Sequence, residues 1–341
     1  MRFPGRLLTL TAASMTLAVL TGCLERKERI IVSGDGSVEI RLLVEGEDIK
    51  DLDEGDKLPQ PGSLWEVKRG TRDTPEGKRI NRLEAMRVIP AGVPLPSSFA
   101  PRGDSLEQAY LRFPSALRIE QRSDGWYYHF TRTYEPREYA QIGFLQGIAD
   151  EQASKFAQNR EEGAELGLVE FKGVSEVLVK FAIAKIEVFA RQAFLETNPN
   201  TPQDAWLAVH DALEELRAGA DYERLAVILK GAGQDDNSKV FEDLEREFDT
   251  VTTNTIVAAL AAGAAVADTG AFRRRFEFHK KAFEITEDLG DDRFEVAVQM
   301  PGTIISHNAD RQAGDSVVWT FPGKMLYDRK VELMVTSRVG N

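Results

Sequence analysis

Among its 341 residues the chain has one cysteine, Cys23, and four histidines. A single thiol excludes any disulfide within the chain and the multi-thiolate sites that hold zinc or iron–sulfur clusters. The histidines, His129, His210, His279 and His307, stand far apart in sequence, so no local metal motif forms and no metal ligand is assigned. Also absent are G-x-S-x-G, H-E-x-x-H and the P-loop. Gly34-Asp35-Gly36 and Gly231-Ala232-Gly233 lack the third glycine of a dinucleotide fingerprint, and no cofactor is expected. Long apolar runs are missing too: Leu7–Leu20 and Ile256–Ala267 both fall short of the roughly 20 residues that span a bilayer. Positive charge is in the minority, with 43 Lys and Arg against 55 Asp and Glu and a net charge of −12. Such a surface is a poor partner for nucleic acid or for anionic lipid headgroups.

What is present begins at the N-terminus. Arg2 and Arg6 give a positive start, Leu7–Leu20 an apolar stretch of signal-peptide length, and Thr21 and Gly22 the small residues that a signal peptidase needs. Leu20-Thr21-Gly22-Cys23 resembles the lipobox of bacterial lipoproteins. The resemblance implies cleavage between Gly22 and Cys23, a diacylglyceryl group on the Cys23 thiol and acylation of the new amine. Each buried methylene contributes about 0.8 kcal/mol and a single chain binds only reversibly, so two or three chains make a stable anchor. The expected partner is therefore the membrane, through lipid on Cys23, and the expected location is the cell envelope, facing the periplasm or exterior. Leu24 stands where an aspartate would retain a lipoprotein in the inner membrane, so the pattern leans to the outer one. The competing reading is an ordinary cleaved signal with an incidental cysteine.

Loss of residues 1–22 leaves about 320 residues, enough for one large domain or two modest ones. Arg2 and Arg6 leave with the signal, so the mature chain is more acidic still. Glu25-Arg26-Lys27-Glu28-Arg29 is polar and reads as a brief tether. Ile30–Val32 and the alternating Val38, Ile40, Leu42 and Val44 read as a hairpin turned at Asp35-Gly36. Residues 45–63 are acidic, then rich in Pro and Gly. Asp51, Asp53, Glu54 and Asp56 fail the spacing of a calcium loop and read as a solvated one. Further strands are expected at Leu64–Val67, Ile80–Ile89, Leu117–Ile119 and Trp126–Phe130, where Trp126, Tyr128 and Phe130 share a face suited to burial. Pro90, Pro94, Pro96 and Pro101 mark an irregular loop between them.

After Pro136 the period changes to helical. Helices are expected over Tyr139–Phe156 (ended by Gly163), Val174–Leu195, a segment capped by Thr201-Pro202, Tyr222–Leu229, Ser238–Phe248 and Ile256–Ala267. Phe272, Phe276, His279 and Phe283 favour one more, although 274–286 also reads as a strand. The basic cluster Arg273-Arg274-Arg275 with Lys280-Lys281 reads as the wet face of that helix or as a contact for lipid or protein. Period two returns at Phe294–Met300, Val317–Phe321 and Val331–Val335. The fold class is α+β: a mixed, mainly antiparallel sheet built from both ends of the chain, with a helical insertion between. The corresponding segments are 1–22 (signal), 23–135 (first β half), 136–290 (helices) and 291–341 (second β half).

Met300-Pro301-Gly302, His307-Asn308, Gly314 and Val318-Trp319-Thr320 resemble the end of the LppM-like envelope lipoproteins. The resemblance extends to the cysteine-led hairpin of Cys23–Val44. It implies an extracytoplasmic α+β module with no established catalytic residues to carry over, in which Pro301, Gly302 and Trp319 are structural. Ala309 stands where the pattern has glycine, and the helical segment has no counterpart. Taken together, the expected function is non-catalytic binding or scaffolding at the envelope, with a protein or lipid partner. The alternatives are an envelope-polymer hydrolase using two of the many carboxylates, or a lipid carrier with an apolar cavity.

Overall fold

Eleven strands and six helices occur among the described residues of the computed structural model. The structure describes residues 24–340 apart from 48, 54, 76, 101–108, 137–138, 159–165, 200–205, 232–237, 263–267 and 328. Gly22, Cys23, Gly163, Thr201 and Pro202 thus lie outside the described residues. The chain divides into two units, one comprising Thr21–Glu138 and Lys281–Asn341, the other Tyr139–Lys280.

Strand alternation builds the first unit. Its strands are β1 (Glu25–Val32), β2 (Val38–Gly46), β3 (Glu66–Asp73), β4 (Arg79–Ile89), β5 (Ser115–Arg122), β6 (Gly125–Tyr134), β7 (Arg293–Gln299), β8 (Thr303–His307), β9 (Arg311–Ala313), β10 (Ser316–Pro322) and β11 (Val331–Val339). They form a seven-stranded sheet ordered β3-β4-β2-β1-β7-β10-β9 and a four-stranded antiparallel sheet ordered β5-β6-β11-β8. The class is the expected α+β, and β1 from one end of the chain pairs in parallel with β7 from the other. The strands make two sheets, however, where the sequence pattern suggested one. Strands β1, β2, β6 and β7 each have one buried face, and here a second sheet covers the first.

Ile30, Ile40, Val44, Val298 and Val317 of the larger sheet are fully buried, as are Phe130 and Leu333 of the smaller. Between the sheets Tyr134 sits 6.0 Å from Phe113, 5.7 Å from Phe294 and 5.3 Å from Phe321, ring to ring. Tyr128 is buried with Phe130, whereas Trp126, at the strand's start, stays 41% exposed. Strands β8 and β9 were not anticipated, and His307 ends a strand instead of occupying a turn. Between them the chain passes from the smaller sheet to the larger, and Asn308 holds that corner. Its Oδ1 accepts from Trp319 Nε1 and from the Met334 amide, both at 2.9 Å, while its Nδ2 donates to the Glu332 carbonyl.

The second unit is helical: α1 (Ala140–Gln158), α2 (Leu168–Thr197), α3 (Leu207–Ala218), α4 (Tyr222–Gly231), α5 (Ser238–Ala262) and the first part of α6 (Thr269–Asp288). Helix α2 is central and packs on α1, α3, α4 and α5. Val174 and Leu178 meet Leu229 of α4 and Phe156 of α1, and Gly173 permits the approach because a Cβ there would meet the Phe156 ring at 2.4 Å. Pro199 cannot extend α2, and the Asn198 amide closes it on the Phe194 carbonyl. One expectation is corrected. Ser238–Phe248 and the start of Ile256–Ala267 are one continuous helix, because no Pro or Gly interrupts 249–255. Residues 274–286 are helical, with Phe272, Phe276 and Phe283 buried along one stripe.

Candidate functional site

The residue after the expected acylation point is already core. Leu24 is 3% exposed. Its amide donates to Asp292 Oδ1 (3.2 Å), and its carbonyl accepts from the Arg293 amide (3.0 Å). Its side chain lies over Gly46, where any Cβ would fall 2.3 Å from Leu24 Cδ2. Burial of a leucine contributes about 1.5–3 kcal/mol, so the chain is fixed from this residue on.

Arg26 and Glu28 then point into the sandwich, in register with Ile30 and Val32. The reading of Glu25–Arg29 as a tether is therefore corrected: it is the first half of β1. Arg26 Nε pairs with Asp292 at 2.6 Å, and its Nη1 donates to the Lys57 carbonyl at 3.1 Å. The 2% exposed Lys57 ammonium reaches Asp288 at 2.8 Å. Glu28 pairs with Arg132 Nη1 and accepts from the Tyr134 hydroxyl at 2.9 Å. Arg132 also donates to Ser115 Oγ (2.8 Å) and lies over the Phe113 ring. Three buried cations are thus neutralised by three carboxylates, of which Glu28 and Asp292 are buried and Asp288 lies at the rim.

Burial drives the Tyr134 hydroxyl far above its usual range, and the Glu28 charge adds to the effect, so it remains a donor. Burial alone would lower the Arg132 guanidinium, but Glu28 and Tyr134 outweigh it and hold it above its ordinary value. Beside this network, a cavity of about 10 Å³ is lined by Arg26, Glu28, Leu42, Phe99, Tyr134 and Phe294 among others. That suits roughly one water molecule.

The histidines are dispersed. His129 Nδ1 contacts Thr336 Oγ1 on the outer side of the small sheet, His210 meets Glu187 at 3.1 Å, and His307 Nδ1 accepts from the Ala309 amide. His279 is buried in the helical unit between the Tyr139 hydroxyl and Glu196, and Glu196 also pairs with Arg275. This relay has the composition of an acid–base chain, and His279 and Tyr139 are each 4% exposed. Among the described residues, no group of three or more His, Cys, Asp or Glu is placed to hold a metal.

Four of the five residues of the basic cluster have local partners. Arg273 bonds Asn254, Arg275 pairs with Glu196, Lys280 with Asp249 and Glu277, and Lys281 with Asp56 and Glu284. For Lys280, burial would lower the ammonium, but the Asp249 and Glu277 carboxylates hold it above the ordinary lysine range. The acidic loop is likewise engaged, through Asp53 with Arg69 and Asp56 with Lys281. Asp51 and Glu54 have no described side chain. What sequence reasoning missed was the interior network. Its signal was parity: Arg26 and Glu28 share the face of Ile30 and Val32, and Arg132 shares that of Phe130 and Tyr134.

No helix among the described residues is long and apolar enough to cross a membrane. No family model matches the chain, and no curated protein matches its sequence. Among solved structures the chain is similar to the NMR structure of the folded domain of Mycobacterium tuberculosis LppM, at 9% identity over 94% of each chain and a TM-score of 0.29.

Proposed function

We propose that the chain is a lipoprotein of the cell envelope, held by acyl chains on Cys23 and facing the periplasm or the exterior. In this reading it acts there as a non-catalytic binding or scaffolding module. The observation that carries the reading is Leu20-Thr21-Gly22-Cys23 at the end of a short apolar stretch headed by Arg2 and Arg6. An acidic chain needs such an anchor, because its own charge does not draw it to anionic lipid. The non-catalytic part is supported by how the polar groups are used. Arg26, Glu28, Lys57, Arg132, Asp288 and Asp292 are engaged with one another, and His279 is enclosed by Tyr139 and Glu196.

Metabolic labelling with radioactive palmitate, followed by membrane fractionation, tests the reading. The wild type should carry label and sediment with membranes, and Cys23→Ser should do neither. A wild-type protein without label that stays in the soluble fraction would sink it.

A further inference from the structure

If Cys23 is acylated, nothing separates the lipid from the folded body. Consecutive Cα atoms lie about 3.8 Å apart, and Leu24 is locked by Asp292, Arg293 and Gly46. We infer that the sandwich is docked end-on against the bilayer, with the Leu24 end at headgroup level and the opposite end turned away. The inference rests on the anchoring reading above.

Strand register identifies what lies at the docked end. Glu25 stands opposite Glu45 and Arg293, and Arg293 opposite Pro322. The end of β2 is followed by Ile49, which is 55% exposed, and the end of β10 by the short turn Gly323–Tyr327. In the second sheet Tyr134, whose ring lies 5.7 Å from that of Phe294 beside Arg293, marks the same end, and Val331 pairs with it. The far end holds the β1–β2 turn and the start of β6, joined by the Tyr128 hydroxyl on the Gly34 carbonyl. The bilayer therefore meets the Leu24 end of the sandwich, and the Ser33–Ser37 turn faces away.

The occupant of this end is a lipid surface because of where the chain outside the structure stops. A longer tether would let any face turn toward the membrane. Leu24 allows one.

The test uses the full-length, acylated protein in vesicles that contain a headgroup-linked fluorescence acceptor. With Cys23 acylated, an introduced cysteine is the only free thiol, so a donor is placed at Lys324→Cys near the docked end or at Ser33→Cys at the far end. Eight residues of β1 separate the two ends by roughly 26 Å, so transfer should be about twofold or more stronger from position 324. A flexible insertion of about twenty residues between Cys23 and Leu24, spanning roughly 25 Å, should erase that difference.

Equal transfer from the two positions in vesicle-bound protein without the insertion, or stronger transfer from position 33, would overturn the docking while leaving the anchor intact. Protein that takes no acyl chain and does not bind vesicles would remove both.

Discussion

The Glu28–Arg132 pair offers the most direct test of what holds the two sheets together. Arg132 is 1% and Glu28 6% exposed, so neither charge has water to turn to if the other is removed. Arg132→Met leaves the Glu28 carboxylate buried with Tyr134 as its remaining partner, and a buried charge stripped of its counter-ion costs about 3–5 kcal/mol. Glu28→Met leaves Arg132 in the same position, with a loss of similar size. Either is a large share of the roughly 5–15 kcal/mol that stabilises a typical folded protein.

The double variant behaves differently, because it removes both charges together. What remains is the loss of the acceptor for Tyr134 and of the donor to Ser115, about 1 kcal/mol each. The double variant should therefore fall within about 2 kcal/mol of the parent, well above either single variant. Urea unfolding followed by tryptophan fluorescence reads this out, since Trp65 and Trp319 are buried in the same unit. A double variant that loses as much as the two single variants combined would refute the account of the pair as mutually neutralising charges.

Asn308→Ala should lower stability by about 2–3 kcal/mol through three lost hydrogen bonds, seen as a fall in melting temperature. Asn308→Asp, which keeps the acceptor for Trp319 and Met334, should lose less. Gly302→Ala should loosen β8: Gly302 has a φ of 76°, and a Cβ there would lie 2.2 Å from the Arg338 carbonyl oxygen. Faster hydrogen exchange at Thr303–His307 would report the loosening, and unchanged exchange would count against the steric argument. The Lys280 ammonium is raised above its unfolded value of 10.5, so its contribution is complete below that pH and is lost as pH rises through the higher folded value. Lys280→Met should flatten that alkaline loss in a series of thermal melts above about pH 10.

Much of the secondary structure was legible because periodicity reports a single solvent boundary. Val38, Ile40, Leu42 and Val44 alternate because β2 has one buried face, and Phe272, Phe276 and Phe283 recur at helical spacing because α6 has one buried stripe. The second sheet was not legible. Alternation says that a face is covered but not by what, and β6 would look the same under helices or under β1. Strands β8 and β9 were hidden because Thr303–His307 and Arg311–Ala313 are almost wholly exposed edge strands with no buried parity to display. Leu24 as core was not legible either, since one leucine among charged residues carries no pattern.

The polar start of β1 shows why composition misled there. Arg26 finds Asp292 at a separation of 266 residues, and Glu28 finds Arg132 at 104. No window of local sequence contains either pair, so each charge looks solvated until the tertiary fold brings its partner. The same separations bear on folding: β1 cannot bury Arg26 or Glu28 without cost before β6 and the segment leading into β7 are present. A strand that carried apolar residues at 26 and 28 could collapse early onto whatever apolar surface lay nearby. One that carries opposite charges is accepted only where complementary charges wait. The ion pairs therefore act on register more than on net stability. A one-residue slip of β1 in either direction would take Glu28 away from Arg132 and bring Lys27 or Arg29 into its place, cation against cation.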